Sequence, residues 1–433
     1  MNLNKQKLSS SRFKSMKSLG SELLWCGKPV LVWLLVLLAL ISCSKESAGG
    51  KKPMNAERFR VTLDPILNGK LSFKPAVVSG EEVPEGMLIT VEAQPDEGYV
   101  LDSLYYAIEG EWGPQYYESM TPSLTVQVKQ PLRIGAAFLR KDLLSGIEVI
   151  QDVVYAQPGV KPLKYDVFRP VGAQDLPLIV IIHGGGWRIN DENIMRGMAR
   201  EMAKTGKYVV ASIDYRWLGT LDGDKEPTQI WQLIEDVFGA LVHIQEHARE
   251  YGATPSRIAL TGDSAGGHLC ASAAVMVERI GSKGFVAPDH QFKPTYLSPG
   301  KTAEDVRSSL LRAIKVVAPS YGVFGGPMLA QAVGIDESLL KYVSPIEAIP
   351  PSDKRTIPHY LIRGNADPLI SQEMVRSYAE ALKKAGQTVQ YVEVEGAGHA
   401  FFDWKPDAVT RKTFERYGVP YIRDMLNFFD KYL

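Results

Sequence analysis

A serine flanked by small residues is the side chain in this sequence best suited to covalent chemistry. Segment 262–266 reads Gly-Asp-Ser-Ala-Gly; it follows the strand-like run Arg257–Thr261 and opens a segment with a helical pattern. Small neighbours allow a sharp strand-to-helix turn that exposes the hydroxyl, and a helix N-terminus favours developing negative charge. The pattern therefore predicts that Ser264 is a nucleophile.

A base and an acid follow the serine at the ends of two later strand-like runs. A nucleophilic serine needs a base to take its proton and a carboxylate to orient that base. Asp367 lies in the loop after the first run, and His399 lies in the loop after the second. Because the carboxyl ends of parallel strands meet at one edge of an open sheet, we expect Ser264, Asp367 and His399 to converge there. Asp403 is a weaker candidate for the acid, because it follows the histidine by only four residues.

A glycine cluster provides candidate donors for a tetrahedral oxyanion. The apolar run Leu178–Ile182 ends in His-Gly-Gly-Gly-Trp at 183–187. A backbone without Cβ atoms can approach a substrate closely. We expect His183 to orient this loop rather than to act as the base. The predicted donors are the amides of Gly185, Gly186 and Ala265, with Gly184 as a substitute.

In combination these motifs resemble a known family. Residues from about 146 to 433 resemble an α/β-hydrolase of the esterase and lipase group with a His-Gly-Gly-Gly loop. The tryptophan after the glycines, Asp-Tyr-Arg at 214–216 and Ser-Pro-Ile at 344–346 are similar to bacterial feruloyl and acetylxylan esterases, although general carboxylesterases and arylformamidases share much of this pattern. The resemblance implies a serine esterase that removes acetyl or feruloyl groups from plant polysaccharide. It implies no organic cofactor and no metal.

Aromatic residues near these motifs are candidates for substrate binding. Aromatic side chains offer a stacking surface that suits a sugar or a phenolic acyl group. Core packing explains such residues equally well. The residues expected to line the cleft are Trp187, Tyr215, Trp217, Tyr321 and Phe401.

Two further activities and one class of binding protein compete with this interpretation. A general short-chain carboxylesterase or lipase-like enzyme would use the same three residues. Serine peptidases and amidases also occur on this fold, but they generally carry a large propeller or helical domain in front. A catalytically inactive binding protein is disfavoured, because Ser264 and His399 are both present.

Composition excludes several classes of partner and site. The 433 residues contain 49 basic and 49 acidic side chains, so the overall charge gives no argument for a nucleic-acid partner. Three cysteines without zinc-type spacing exclude a disulfide framework and a zinc site of the usual pattern. Cys270, on the predicted helix after the nucleophile, is expected to be a small core residue.

The N-terminus is predicted to direct the chain to the cell envelope. Residues 1–43 contain lysines followed by the apolar stretch Val30–Ile41 and end in Leu-Ile-Ser-Cys, which resembles a bacterial lipobox. The resemblance implies that Cys43 becomes the acylated mature N-terminus, anchored in membrane lipid and facing the periplasm or the cell surface. An uncleaved signal anchor is the alternative, and Met16 is an alternative start. Residues 44–55, rich in Ser, Gly and Lys, are predicted to be a flexible tether.

Residues 56–142 are predicted to form a small all-β module. Short alternating runs broken by Gly and Pro favour strands, and the turns and the closing Gly-Ala-Ala-Phe resemble internalin-type B-repeats found ahead of secreted enzymes. The aromatic residues of this module could stack on sugar or fill a core; they are Tyr105, Tyr106, Trp112, Tyr116 and Tyr117.

The remainder, residues 146–433, is predicted to be the α/β catalytic domain. Strands that alternate with helical patterns indicate a mostly parallel central sheet flanked by helices. Helices are predicted over 189–205 and over 228–251, and a strand over 311–318. Segment 283–309, with several prolines and aromatics, fits neither a strand nor a long helix. It is predicted to be a lid or rim loop, with an inert surface insertion as the alternative.

Overall fold

The computed structural model describes residues 57–110 and 113–433. The predicted signal, the lipidation residue Cys43, the tether 44–55 and Trp112 lie outside the described residues. Within those ranges, no helix is both long enough and apolar enough to cross a membrane. The described residues form an all-β region followed by a larger α/β region.

The all-β region forms two sheets around a core of its own. Strands β1, β3, β5, β6 and β8 pair in the order β3-β1-β8-β5-β6, and β2, β4 and β7 pair in the order β2-β4-β7. Along β4, Ile89, Val91 and Ala93 are buried and alternate with less buried residues, so one face packs inward. The strands are β1 Arg58–Leu63, β2 Gly69–Lys74, β3 Glu81–Pro84, β4 Leu88–Pro95, β5 Tyr99–Gly110, β6 Gly113–Ser119, β7 Ser123–Gln127 and β8 Leu132–Arg140.

The α/β region is built on an eight-stranded sheet, as its strand and helix pattern predicts. The order is β16-β15-β14-β13-β11-β12-β10-β9; the strands from β16 to β12 run parallel, whereas β10 pairs antiparallel with both β12 and β9. Strand β12 is buried along its whole length, as expected when helices cover both faces. The strands are β9 Ile147–Ala156, β10 Leu163–Pro170, β11 Leu176–Ile182, β12 Val209–Ile213, β13 Ala253–Asp263, β14 Ile314–Ser320, β15 His359–Gly364 and β16 Val389–Val394.

The described residues of the α/β region contain nine α-helices and several short 3-10 turns. They are α1 Arg196–Ala203, α2 Ile230–His247, α3 Ala265–Val275, α4 Ala303–Ala313, α5 Gly326–Val333, α6 Leu340–Val343, α7 Gln372–Lys384, α8 Ala408–Thr413 and α9 Val419–Phe429, and a π-helical turn, Phe414–Gly418, joins the last two. The apolar residues at helical spacing on α2 are all fully buried; they are Ile230, Leu233, Ile234, Val237, Leu241 and Ile244.

Three element predictions need correction. The helix predicted over 189–205 begins only at Arg196, because Asn190 has a positive φ of 72° and a 3-10 turn, Glu192–Met195, comes first. Segment 283–309 is not entirely irregular, since α4 begins at Ala303 under a capping box formed by Thr302 and Asp305. That helix also moves the start of the following strand to Ile314.

The part of this segment before α4 lies against helix α2. The amide of Lys293 donates to Glu235 Oε1 at 3.1 Å, and the amide of Thr295 donates to the Glu235 carbonyl at 3.0 Å. Phe285 and Phe292 are buried. The lid role of this segment stays a prediction, and these contacts give it no support.

Candidate active site

Ser264 lies at the junction of β13 and α3, in a strained turn. Its φ of 52° and ψ of −117° are unusual for a residue with a side chain. A Cβ at Gly266 would lie 2.0 Å from the Ile182 carbonyl oxygen, and one at Gly262 would lie 2.5 Å from the Gly266 carbonyl oxygen. Glycine is therefore required on both sides, and the turn holds the partly exposed Ser264 hydroxyl above the sheet.

The structure brings Ser264, His399 and Asp367 together. Ser264 Oγ lies 2.9 Å from His399 Nε2, and His399 Nδ1 lies 2.8 Å from Asp367 Oδ2. A carboxylate can only accept, so Nδ1 carries the proton and Nε2 presents its lone pair to the serine hydroxyl. This arrangement lets the imidazole take the serine proton while the carboxylate holds its orientation.

Asp367 is held in the ionised form. Burial by itself favours the neutral acid, but the hydrogen bond from His399 and the electrostatic attraction of its imidazole outweigh it, and the pKa of Asp367 is lowered. The amides of Leu369 and Ile370 donate to Asp367 Oδ1 at 2.8 and 3.0 Å. The alternative acid, Asp403, pairs instead with Lys405 at 3.3 Å.

The glycine loop presents free amides beside the serine. Gly185 and Gly186 have φ values of 120° and 58°, and within the described residues their amides donate to no protein acceptor. Ala265 opens α3, where the first amides have no partner inside the helix. These groups can donate to an oxyanion formed on a substrate.

The expectation for Gly184 is wrong. Its amide donates to Asp263 Oδ1 at 2.7 Å, so it is not free to bind an oxyanion. Asp263 is buried, and burial, reinforced by the charge of Asp403, raises its pKa to about 7. Gly184 therefore serves as the point at which the loop is fastened to the residue before the nucleophile.

His183 orients the loop from inside, as expected. Its Nδ1 donates to the Gly184 carbonyl at 2.6 Å, and its ring stacks on Tyr215 at 4.2 Å between centroids. The Tyr215 hydroxyl donates to the His183 carbonyl at 2.8 Å. Asn190 adds a further contact, because its Nδ2 donates to the Gly184 carbonyl at 3.3 Å.

Four of the five predicted cleft residues are core residues. Tyr215, Tyr321 and Phe401 have no exposed surface, and Trp187 is 5% exposed, so none offers a face on which a sugar could stack. Tyr321 instead packs its ring edge-on against His399, with centroids 5.1 Å apart.

Trp217 is the predicted cleft residue with a partly exposed side chain. Its Nε1 donates to the Asn190 carbonyl at 2.9 Å, and Lys161 Nζ lies 4.3 Å from its ring centroid. These contacts connect Trp217 to the glycine loop through Asn190.

Sequence reasoning missed the anchoring role of Asp263 and Asn190. The sequence pattern contains no signal that pairs the Asp263 carboxylate with Gly184, which belongs to another strand's loop. One signal was available: Asp263 directly precedes the nucleophile at the end of a buried strand, and a buried carboxylate requires a hydrogen-bond partner.

Comparisons with known proteins match more than half of the chain to one family. Residues 179–403, just over half of the chain, match the family described as alpha/beta hydrolase fold. Similar curated proteins include two from Mycobacterium tuberculosis: esterase LipQ, 27% identical over 275 residues (58% of this chain and 56% of the relative), and carboxylic ester hydrolase LipN, 30% identical over 247 residues (54% and 60%). The chain thus spans less than two thirds of the length of these relatives. Among solved structures, a thermophilic esterase, Est2, from Thermogutta terrifontis aligns with 24% identity and a TM-score of 0.46, covering 63% of this chain and 90% of the other.

Proposed function

The chain belongs to the alpha/beta hydrolase fold family, and on that premise we propose that it is a serine hydrolase that cleaves carboxylic esters. One observation carries the proposal: a continuous path of hydrogen bonds runs from Asp367 through His399 to the Ser264 hydroxyl, with distances of 2.8 and 2.9 Å. Two relatives named as an esterase and a carboxylic ester hydrolase support the same reaction.

The reaction proceeds through an acyl-enzyme. His399 Nε2 accepts the Ser264 proton as Oγ attacks the ester carbonyl carbon, and the resulting oxyanion accepts from the free amides beside it. His399 then gives that proton to the departing alcohol oxygen as the carbon–oxygen bond breaks. Water then gives a proton to His399 and attacks the acyl carbon. The bond to Ser264 Oγ breaks, His399 returns the proton to Oγ, and the carboxylic acid is released. Each oxyanion donor contributes about 3 kcal/mol to the transition state, so the loop acts mainly on turnover.

For the substrate, we propose an ester carried by carbohydrate, with an acetyl or feruloyl acyl group. The support is the His-Gly-Gly-Gly-Trp spelling at 183–187 and the partly exposed indole of Trp217, which is connected to the glycine loop. A general short-chain carboxylesterase is the second candidate, and the names of the two relatives, an esterase and a carboxylic ester hydrolase, favour it.

Covalent labelling and a substrate panel test both levels of the proposal. Wild type is expected to react with a fluorophosphonate probe and to hydrolyse p-nitrophenyl acetate, whereas Ser264→Ala is expected to do neither. Ser272→Ala is the matched control, because this buried serine lies on the same helix and its Oγ has no partner among the described residues. Acetylated xylan and methyl ferulate complete the panel. Activity on p-nitrophenyl esters alone would favour the general carboxylesterase, and an unlabelled wild type would refute the serine mechanism.

We also propose that Cys43 anchors the protein in the cell envelope. The proposal rests on the sequence Leu-Ile-Ser-Cys at 40–43 after an apolar stretch. In a bacterial host, a clickable fatty acid is expected to label the wild type and to be absent from Cys43→Ser. Cys26→Ser is the matched control and should remain labelled. Equal labelling of both variants would refute the anchor.

A further inference from the structure

We infer that Asp102, in the all-β region, is a positioning residue for His399. The inference rests on the proposed function and extends it, because it makes the all-β region part of the machinery that holds the catalytic base. Asp102 acts through the segment 399–404, which carries the histidine at one end and Trp404 at the other.

Asp102 points out of its own sheet and into the α/β region. It lies at an irregularity of β5, where the pairing with β8 shifts between Leu101 and Ser103. Such a bulge redirects a side chain. The Asp102 side chain is fully buried and accepts hydrogen bonds from four side chains of the α/β region. These are Arg196 Nε at 3.2 Å, Arg200 Nη1 at 2.5 Å, Arg411 Nη2 at 2.7 Å and Trp404 Nε1 at 2.9 Å.

The charges of this cluster keep Asp102 ionised. Burial opposes ionisation, but the three arginines outweigh it and hold the pKa of Asp102 far below its ordinary value. Glu118 of β6 adds a second carboxylate, with Oε2 at 2.5 Å from Arg196 Nη2. The buried Arg196 and Arg200 are thus paired with carboxylates of the all-β region. A buried ion pair that loses one partner leaves a costly uncompensated charge, so this contact is a strong constraint.

The constraint reaches Trp404 through both its side chain and its backbone. Asp102 accepts from the indole, the amide of Trp404 donates to the Ile194 carbonyl at 3.0 Å, and Arg196 Nη1 lies 3.5 Å from the Trp404 carbonyl. Gly197 lies on helix α1, and a Cβ there would lie 2.8 Å from Trp404 Cβ, so α1 packs directly on Trp404. Trp404 is therefore fixed in position and orientation.

From Trp404 the constraint continues along the chain to His399. The intervening Phe401 and Phe402 are fully buried, and the amide of Phe402 donates to the Tyr321 hydroxyl at 3.3 Å. The Tyr321 ring lies edge-on against the His399 imidazole. The segment is therefore held at its far end by Asp102 and in its middle by Tyr321. Since a displacement of about 1 Å at a reacting group can cost about 100-fold in rate, releasing the far end should reduce turnover.

Trp404→Phe is the sharpest test, because it removes the indole N–H that reaches Asp102 while it keeps an aromatic ring in the site. We expect kcat for p-nitrophenyl acetate to fall at least about tenfold, with KM changed less than about twofold. The rate of fluorophosphonate labelling should fall in parallel, because the same base activates the serine. Asp102→Asn, which keeps the shape and removes the charge, should show a larger loss if it folds.

The control is Asp64→Asn, an acid of the same all-β region. Its Oδ2 accepts from the Tyr105 hydroxyl at 2.9 Å, and its contacts among the described residues stay within that region. This variant is expected to keep the wild-type kcat. Thermal unfolding of each variant establishes the folded fraction at the assay temperature.

The outcomes separate the inference from the proposed function. Trp404→Phe with wild-type kcat, or with a loss that equals its unfolded fraction, overturns the inference and leaves the proposed function intact. A kcat loss in fully folded Trp404→Phe, absent from Asp64→Asn, supports it. A wild type that is neither labelled nor active overturns the proposed function and the inference together.

Discussion

Ser264 is held in a strained backbone conformation, which indicates a functional role for this residue. A non-glycine residue at a positive φ in such a turn costs about 1–3 kcal/mol, and the surrounding structure must impose it. Here the carbonyl oxygens of Ile182 and Gly266 crowd both flanking glycines, and the Ser264 amide donates to the Ser320 carbonyl at 3.0 Å. The strain is thus imposed by β11, β14 and α3 together, and its effect is to keep the hydroxyl beside His399.

Asp263 provides a prediction at the scale of one carboxylate. In Asp263→Ala the Gly184 amide loses its acceptor, and a buried unsatisfied donor costs about 1–3 kcal/mol. We expect the glycine loop to shift and kcat to fall about 100-fold, the effect of losing one oxyanion donor. KM should change little. Steady-state kinetics with p-nitrophenyl acetate measure both constants.

Asp263→Asn is the control for this prediction. The amide side chain keeps an oxygen that can accept from Gly184, so most of the activity should remain. The anchoring role would be refuted if both Asp263→Ala and Asp263→Asn had the wild-type kcat.

Individual residues differ in how far the sequence determines their place. Ser264, Asp367 and His399 could be predicted to converge, because each follows a strand and the strand order fixes the edge at which they meet. Tyr215, Tyr321 and Phe401 could not be assigned, because an aromatic residue beside a motif has the same local pattern whether it faces the core or a cleft. Asp102 and Trp404 meet only through tertiary packing, and their sequence neighbours contain no sign of it.

The glycine loop, residues 183–187, provides a prediction at the scale of an element. A Cβ on Gly185 would lie 2.3 Å from the Ile189 carbonyl oxygen, and its φ of 120° disfavours any side chain. Gly185→Ala must therefore displace the loop that carries the free amides. We expect kcat to fall at least about tenfold while the protein stays folded. Steady-state kinetics measure kcat, and circular dichroism shows whether the variant is folded.

Gly206→Ala is the matched control for the loop. Gly206 also has a positive φ, 75°, but a Cβ there would meet nothing within 4 Å. This variant should lose about 1 kcal/mol of stability from backbone strain and keep its turnover. Equal activity in Gly185→Ala and Gly206→Ala would contradict the role given to the loop.

Strands and helices could be predicted where their hydrophobic periodicity is strong, and they were missed where it is weak. The parallel strands β11 and β12 are largely apolar runs, and α2 has a buried stripe, so these elements stand out. Helix α4 has just three buried residues, Val306, Leu310 and Ala313, and follows a proline-rich segment. Strand β3 is four residues long with one buried side chain, and β6 lies at a sheet edge. Such elements are determined by their neighbours rather than by their own pattern.

At the scale of the whole molecule, buried ion pairs join the all-β region to the α/β region, although the overall charge is balanced. The equal numbers of acidic and basic residues gave no reason to expect that one carboxylate of the all-β region would face three arginines of the α/β region. The division at residues 56–142 and 146–433 stays a prediction of sequence composition. The Asp102 contacts indicate that separating the two regions would break this group of ion pairs and leave unpaired charges on both sides.

Buried acids also give the stability of the molecule a pH dependence, and Asp166 isolates one contribution. Asp166 lies on β10, and its Oδ1 accepts from the Asp152 amide at 2.8 Å. Burial raises its pKa to about 7, and the neighbouring charges of Asp152 and Asp191 add to the effect. An aspartate in the unfolded chain titrates near pH 3.9. Between these values the folded protein binds a proton that the unfolded chain does not, so the free energy of unfolding should fall as pH rises from about 4 to about 7.

Asp166→Asn removes this contribution, because the amide does not titrate. Relative to wild type, the variant should therefore gain stability between pH 5 and pH 8, with each tenfold difference in proton affinity between folded and unfolded chain equivalent to about 1.4 kcal/mol. Urea unfolding at the two pH values measures the change. Asp353→Asn, which removes a carboxylate from an exposed site, should show no comparable gain. The assignment would be wrong if the difference between Asp166→Asn and wild type were the same at both pH values, since a lost contact alone does not depend on proton concentration.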